Sequence, residues 1–337
     1  MTIIYAVLIF CLLIFVHELG HFITAKACGV KVNEFAIGMG PAFFQKERGE
    51  TTYSLRIFPI GGFCAMEGED EDSEDPRAFN NRPAWQKAIV LVAGSLMNVI
   101  TCIVLLMAVY LVIGTATTTI GSISDGYPAQ EAGLQVGDTL VSIDGNQVNS
   151  WNDVAEYVPG KEKSTVEVVV DRDGSRLTLD VGTRYNEDSG RYILGIVTKV
   201  AHSPAKAITG GFRGTWDLTK FMYKTLKQLF TGEVSAKELS GPVGIVYAVN
   251  TTASTGVMNV VYLAALLSLN LAVINMLPFP ALDGGRILFL VIRKITGKKV
   301  TDKMEGYVHM IGMMCLFALM IYVTFNDVIR FIIPIFS

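Results

Sequence analysis

Apolar positions gather into four long runs, at roughly residues 3 to 25, 88 to 114, 258 to 282 and 307 to 325. Each is near the length of about 20 helical residues that crosses a bilayer. The first run is broken by His17, Glu18 and His21, so it counts as a span only with three polar groups inside it. Between the second and third runs the pattern changes to short alternating stretches that predict strands and turns.

Composition sharpens this picture. The 337 residues are 51% hydrophobic and only 18% charged, with positive mean hydropathy, which points to a multispan membrane protein. A net charge of −3 with no arginine-rich stripe offers no nucleic-acid surface. Cys11, Cys28, Cys64, Cys102 and Cys315 are scattered singly, so neither a disulfide framework nor a CxxC metal clip is expected. The first run lacks a basic leader and a small-x-small site before the histidines, and reads as a retained span rather than a signal peptide.

Basic residues predict the orientation. The loop from Lys26 to Lys87 carries eight lysines and arginines and the loop from Arg286 to Lys303 carries six, against Arg330 alone in the tail. Both loops are therefore expected on the cytoplasmic side, with both termini and the middle region outside.

Four segments follow: an N-terminal membrane region over 1–114, a middle domain over 115–200, an amphipathic connector over 201–257 and a C-terminal membrane region over 258–337. In the middle domain, Pro128-Ala129 and Ala132-Gly133-Leu134 predict a short helix ended by glycine. "GDTLVSIDGNQV" predicts strand, Asp144-Gly145 turn and strand, and "STVEVVVD", "RLTLDV" and "YILGIV" add three more strands. This resembles one PDZ domain, a fold that takes extended peptide ends into a groove by β-addition.

Residues 215 to 230 place Trp216, Leu218, Phe221, Met222, Leu226 and Leu229 at helical spacing, with Lys220, Lys224 and Lys227 elsewhere around the helix. That pattern suits a helix lying on a membrane surface, and equally one packed on the middle domain. Within the first loop, Tyr53, Leu55 and Ile57 alternate with polar residues before Pro59-Ile60-Gly61-Gly62, which predicts a hairpin over 51–66. The seven carboxylates of residues 67 to 76 read as a solvated loop.

The chemistry lies in "HELGH", residues 17 to 21. Residues four apart share a helix face, so His17 and His21 can aim two imidazoles at one metal while Glu18 holds a water beside it. Ionisable groups inside a membrane helix cost about 2.5 to 3.5 kcal/mol each on insertion scales, so an idle trio is disfavoured. Zinc suits two histidines plus a carboxylate and leaves one position open. His21 lies five residues before Lys26, and Asp283 lies three before Arg286, so the two stretches reach the same depth near the cytoplasmic end. Pro278 and Pro280 break the helix ahead of Asp283, and Gly284-Gly285 follow it. His202 and His309 read instead as ordinary surface or interfacial residues.

Together HELGH, "FAIGMGP", "FPIGGF", "AGSLMN", "SGPVGI" and "NMLPFPALDGG" resemble the site-2 protease family of intramembrane zinc metalloproteases, in its bacterial RseP/RasP-like branch. The resemblance covers nearly the whole chain. It implies a polytopic α-helical protein of the bacterial cell membrane, with four transmembrane helices, a membrane-associated β-hairpin and one inserted extracytoplasmic PDZ-like α+β domain. His17, His21 and Asp283 would bind Zn2+ and Glu18 would be the general base. Asn275, Pro278, Pro280, Tyr53, Leu55, Ile57, Gly61, Gly62 and Asn98 would contact substrate. Ser95 stands where the family commonly has proline. Substrates would be membrane-spanning proteins such as single-pass anti-sigma factors or signal-peptide remnants, met within the lipid bilayer, with peptide ends received at the PDZ-like groove. Two other readings are a metal transporter using the same three ligands, and a noncatalytic receptor working through its PDZ-like domain.

Overall fold

A computed structural model describes residues 2–69, 73–158, 165–187, 190–235, 238–296 and 302–336. Asp70, Glu71 and Asp72 of the acidic block, and residues 297–301 of the second basic loop, lie outside the described residues. Two compact units emerge, one formed by Met1–Met107 with Gly211–Ser337 and the other by Ala108–Gly210.

Among the described residues, four helices are long and apolar enough to cross a membrane: α1 (Thr2–Ala27), α2 (Ala84–Ile113), α7 (Val257–Asn275) and α9 (Asp302–Asp327). Before α7 come α5 (Pro204–Thr231) and α6 (Pro242–Ala253); α8 (Asp283–Thr296) follows it. The third span is shorter than the apolar run suggests, because α7 stops at Asn275 rather than running to 282. Pro278 supplies no N–H and disfavours a helical Leu277, so the helix ends before the prolines. α5 begins eleven residues ahead of the predicted 215, because Pro204 suits the first position of a helix and no proline follows it up to Thr231.

Small residues set how closely these helices approach, as is usual among membrane helices. A Cβ on Gly20 of α1 would fall 2.4 Å from the Ala93 carbonyl oxygen of α2. One on Gly211 of α5 would fall 2.5 Å from Met107 Cγ. At the far end, the buried Asp327 carboxylate accepts the backbone N–H groups of Gly241 and Gly244, at 2.9 and 2.8 Å. That contact ties "SGPVGI", at the start of α6, to the end of α9.

After α1 come β1 (Val32–Arg48) and β2 (Thr51–Met66), joined by a turn at Gly49, φ +67°. The pairing corrects the predicted hairpin. Segments on either side of Pro59-Ile60-Gly61-Gly62 do not pair with each other, because residues 34–37 lie between them, aligned with 52–55 on one side and with 62–65 on the other. Residues 42–48 pair with 51–56. Local alternation predicts strands but not this order, which is fixed by turns where Gly38, Gly40 and Gly61 take φ of +87°, +82° and +98°.

Within Ala108–Gly210, a six-stranded sheet has the order β10-β3-β4-β6-β7, with β5 on β4. These are β3 (Thr115–Ile123), β4 (Thr139–Ile143), β5 (Asn146–Gln147), β6 (Thr165–Arg172), β7 (Ser175–Gly182) and β10 (Ile196–Ala201). A separate pair, β8 (Arg184–Asn186) and β9 (Arg191–Ile193), splits the predicted strand "YILGIV" at Leu194-Gly195, where Gly195 has φ +85°. Positive φ at both Asp144 and Gly145 makes the predicted tight turn. The short helix α3 (Pro128–Glu131) is followed by Gly133 in the left-handed region, as expected. A second helix, α4 (Trp151–Tyr157), opens on a capping box formed by Ser150 with Asp153.

Ile120, Leu140, Ile143, Val166, Val168, Val170 and Val181 form the core of this unit. Beside it, the buried Asp138 carboxylate receives Arg172 through two 2.7 Å bonds and the Gln135 N–H at 2.9 Å. The Arg172 guanidinium holds the Asp138 carboxyl below the usual carboxylate range.

Candidate active site

The ends of the chain meet at three side chains. Helical spacing puts His17 and His21 one turn apart on α1, both buried, with Nε2 atoms 3.2 Å apart. Asp283 Oδ2 lies 3.3 Å from His17 Nε2 and 3.5 Å from His21 Nε2. Asp283 opens α8, and the backbone that delivers it is tightly folded. A Cβ on Gly284 would fall 2.3 Å from the Leu277 carbonyl oxygen, and one on Gly285 would fall 2.2 Å from that of Phe279. Both positions must therefore be glycine for residues 276–282 to fold back over the start of the helix.

Two hydrogen-bond relationships orient the imidazoles. His21 Nδ1 stands 2.9 Å from the Val90 carbonyl oxygen. A carbonyl only accepts, so Nδ1 carries a proton, and in the neutral imidazole the Nε2 lone pair then faces Asp283. His17 Nδ1 is 3.2 Å from the Asn98 side-chain amide, whose Oδ1 is buried with no hydrogen-bond partner among the described residues. Turning that amide about its last torsion lets Oδ1 accept the Nδ1 proton, which frees Nε2 of His17 in the same way.

Three lone-pair-bearing atoms thus point at one spot. Asp283 Oδ2 is itself buried and meets no donor in acceptable geometry, although both imidazoles lie within 3.5 Å. That arrangement is repulsive unless a proton or a metal ion sits among them. In a tetrahedral zinc site with bonds of about 2.0–2.1 Å, neighbouring ligand atoms stand about 3.3 Å apart. The edges of 3.2, 3.3 and 3.5 Å fit one face of such a tetrahedron and leave its fourth corner open.

Glu18 sits on α1 between the two histidines, partly buried, and a Cβ on Gly62 would fall 3.7 Å from its Cγ. The strand over 62–65 therefore runs beside Glu18, and among the described residues its outer side has no strand partner. Residues 52–55, in contrast, have strand neighbours on both sides. Tyr53 packs edge-on to Phe22 and Phe35, and Leu55 lines an apolar cleft of about 340 Å³ with Phe15, Leu19 and Phe44. Ile57, Phe58, Met39, Phe43 and Phe44 are all exposed at the tip of the sheet.

Asn275 is the last residue of α7, and its amide is 3.3 Å from His17 Nε2. Pro278 and Pro280 lie in the loop between Asn275 and Asp283. "AGSLMN" has a physical explanation on α2: a Cβ at Gly94 would fall 2.3 Å from His21 Nε2 and 2.7 Å from His17 Cε1. Gly94 makes room for the imidazoles, and Asn98, one turn later, meets His17. Ser268 of α7 donates to the Asn98 carbonyl at 2.9 Å, joining the third span to the second. The Val90 carbonyl had no signal in the sequence, being a backbone group.

Three side chains that could hold one metal ion, with a glutamate beside them, are the arrangement a metallopeptidase needs. Comparison with known proteins makes this specific. The family model for peptidase family M50, the site-2 protease family, matches residues 5–319, and the chain belongs to that family. A protein of Clostridium acetobutylicum named as a candidate zinc metalloprotease is 39% identical, over 97% of each chain. The regulator of sigma-W protease RasP of Bacillus subtilis is 31% identical, over 98% of each. Zinc metalloprotease RasP of Bacillus licheniformis is 32% identical, over 98% of this chain and 99% of the relative. Among solved structures, a PDZ domain of an SdrC-like protein from Listeria innocua is 22% identical with TM-score 0.22, covering 26% of this chain and 97% of that one. The chain is a zinc metalloprotease, and its four apolar helices make it a membrane protein.

Proposed function

We propose that this enzyme cuts peptide bonds within membrane-spanning segments of proteins whose outer parts have already been removed, such as anti-sigma factors or signal-peptide remnants. His17, His21 and Asp283 hold the zinc, and the observation that carries this is their triangle of 3.2–3.5 Å edges around an orphaned carboxylate oxygen. Bound zinc supplies Lewis-acid polarisation of the scissile carbonyl and acidifies water. Glu18 takes the proton from the attacking water and returns it to the leaving nitrogen. Asn275, at the edge of the ligand triangle, orients the substrate backbone; Asn98 orients His17 and, through it, the bound substrate.

A helical substrate hides its amides in internal hydrogen bonds and must unwind first. The unpartnered side of residues 62–65 supports a role as the strand on which the unwound segment pairs, with Gly61 and Gly62 letting it lie close. The exposed apolar tip of that sheet supports its insertion among lipid or substrate side chains. Tyr53, Leu55 and Ile57 shape the apolar surface beside that strand, and Pro278 and Pro280 shape the facing loop.

The unit over 108–210 acts as a PDZ-like domain that admits shortened ends. A cleft of about 240 Å³ lined by Trp151, Val154, Val158, Arg191, Leu194 and Gly195 supports peptide binding between α4 and the strand after Gly195. The basic loops support a bacterial cell membrane orientation with both termini and this domain outside and the active site toward the cytoplasm. Glu18→Gln tests the proposal. It is expected to keep zinc and abolish cleavage of a model membrane helix, and normal turnover by that variant would remove Glu18 from the role of base.

A further inference from the structure

The loop that delivers Asp283 is held from outside the ligand set. Ala281, two residues before Asp283, takes φ +75°, a left-handed conformation uncommon for a residue with a Cβ. Its backbone N–H donates to Nδ1 of His309 on α9, at 2.8 Å. One turn along α9, a Cβ on Gly312 would fall 2.5 Å from Pro280 Cβ and 2.6 Å from the Pro280 carbonyl oxygen, so the turn rests directly on the helix backbone. The His309 ring is itself fixed. It packs at 5.5 Å against Phe289 of α8, and its Nε2 lies 3.7 Å from Glu305 Oε1. Glu305 also receives Arg293 of α8, at 2.5 Å. The backbone before Asp283 and the helix after it are therefore both anchored on α9.

We infer that His309, with Gly312 beside it, is a positioning residue for the Asp283 carboxylate: the fourth span sets the third zinc ligand by locking the Pro280–Ala281 turn. Hydrogen bonds within this stretch, such as the Leu282 N–H to the Phe279 carbonyl and the Gly285 N–H to the Leu282 carbonyl, fold the segment on itself, but none of them ties it to a neighbouring helix. The hydrogen bond to His309 does. It uses Nδ1 as an acceptor, which an asparagine Oδ1 reproduces at about the same reach from the helix.

This inference rests on Asp283 being a zinc ligand, and the experiment separates the two. Full-length protein is loaded with Co2+ in place of zinc, and its visible absorption and its rate of metal loss to a chelator are measured for wild type, His309→Asn, His309→Leu, Gly312→Ala and Asp283→Asn. Asp283→Asn should change the spectrum outright; an unchanged spectrum would overturn the ligand assignment and this inference with it. His309→Leu and Gly312→Ala should perturb the spectrum and release metal about 10–100-fold faster, the usual effect of losing an outer-sphere support. His309→Asn should restore both readouts toward wild type. If Asp283→Asn alters the spectrum while His309→Leu does not, or if asparagine is no better than leucine, His309 is only a packing residue and the inference fails.

Discussion

The Asn98 amide lies 3.2 Å from Nδ1 of His17, on the side of the imidazole away from Asp283. An outer hydrogen bond at that nitrogen decides which tautomer faces the metal, and such partners typically contribute about 10–100-fold in metal affinity. Asn98→Ala is therefore expected to fold and insert normally but to release zinc about 10–100-fold more readily, measured by competition with a chelator of known affinity.

Gly94 gives a steric prediction. With a Cβ 2.3 Å from His21 Nε2, Gly94→Ala should push the imidazole out of the ligand triangle. Zinc content and cleavage should fall together while helix content by circular dichroism stays unchanged. Retention of stoichiometric zinc by this variant would mean that α1 and α2 are less tightly packed than described.

Asp327 is a structural test far from the triad. Removing its carboxylate strands the Gly241 and Gly244 N–H groups, at about 1–3 kcal/mol each. Asp327→Ala should lower the unfolding free energy in detergent by about 2–6 kcal/mol, and Asp327→Asn, which keeps one acceptor oxygen, by clearly less.

The unit over 108–210 should be acid-sensitive through Asp138. Its carboxyl is held below the ordinary range, so the stabilisation is full above the unfolded value near pH ~4 and is lost as pH falls through the lower folded value. Hydrogen exchange in β4, β6 and β7 should be faster in Asp138→Asn than in wild type at pH 7. That difference should shrink below about pH 4, as wild type loses the Arg172 pair.

Different parts of the molecule were legible for different physical reasons. HELGH declares itself because helical periodicity alone brings His17 and His21 together, and matching depth led to Asp283 across the length of the chain. The apolar run continues through Met276 and Leu277 and past Pro278 to Leu282, so hydropathy alone places the end of α7 later than the proline allows. The strand order around residues 34–37 depends on pairing between distant segments, which alternation within one segment cannot encode. His309 looked like an interfacial residue because its role comes from the placement of α9 against the 279–281 turn, a relation between two elements with no mark in either sequence.

The central claim is that one zinc ion is held by two imidazoles and one carboxylate, with an open fourth position. X-ray absorption at the zinc edge of the purified full-length protein tests it most directly. The account predicts two imidazole nitrogens and light oxygen neighbours at about 2.0–2.2 Å, with the imidazole contribution halved in His21→Ala. A shell containing sulfur at about 2.3 Å, or one unchanged by His21→Ala, would contradict it.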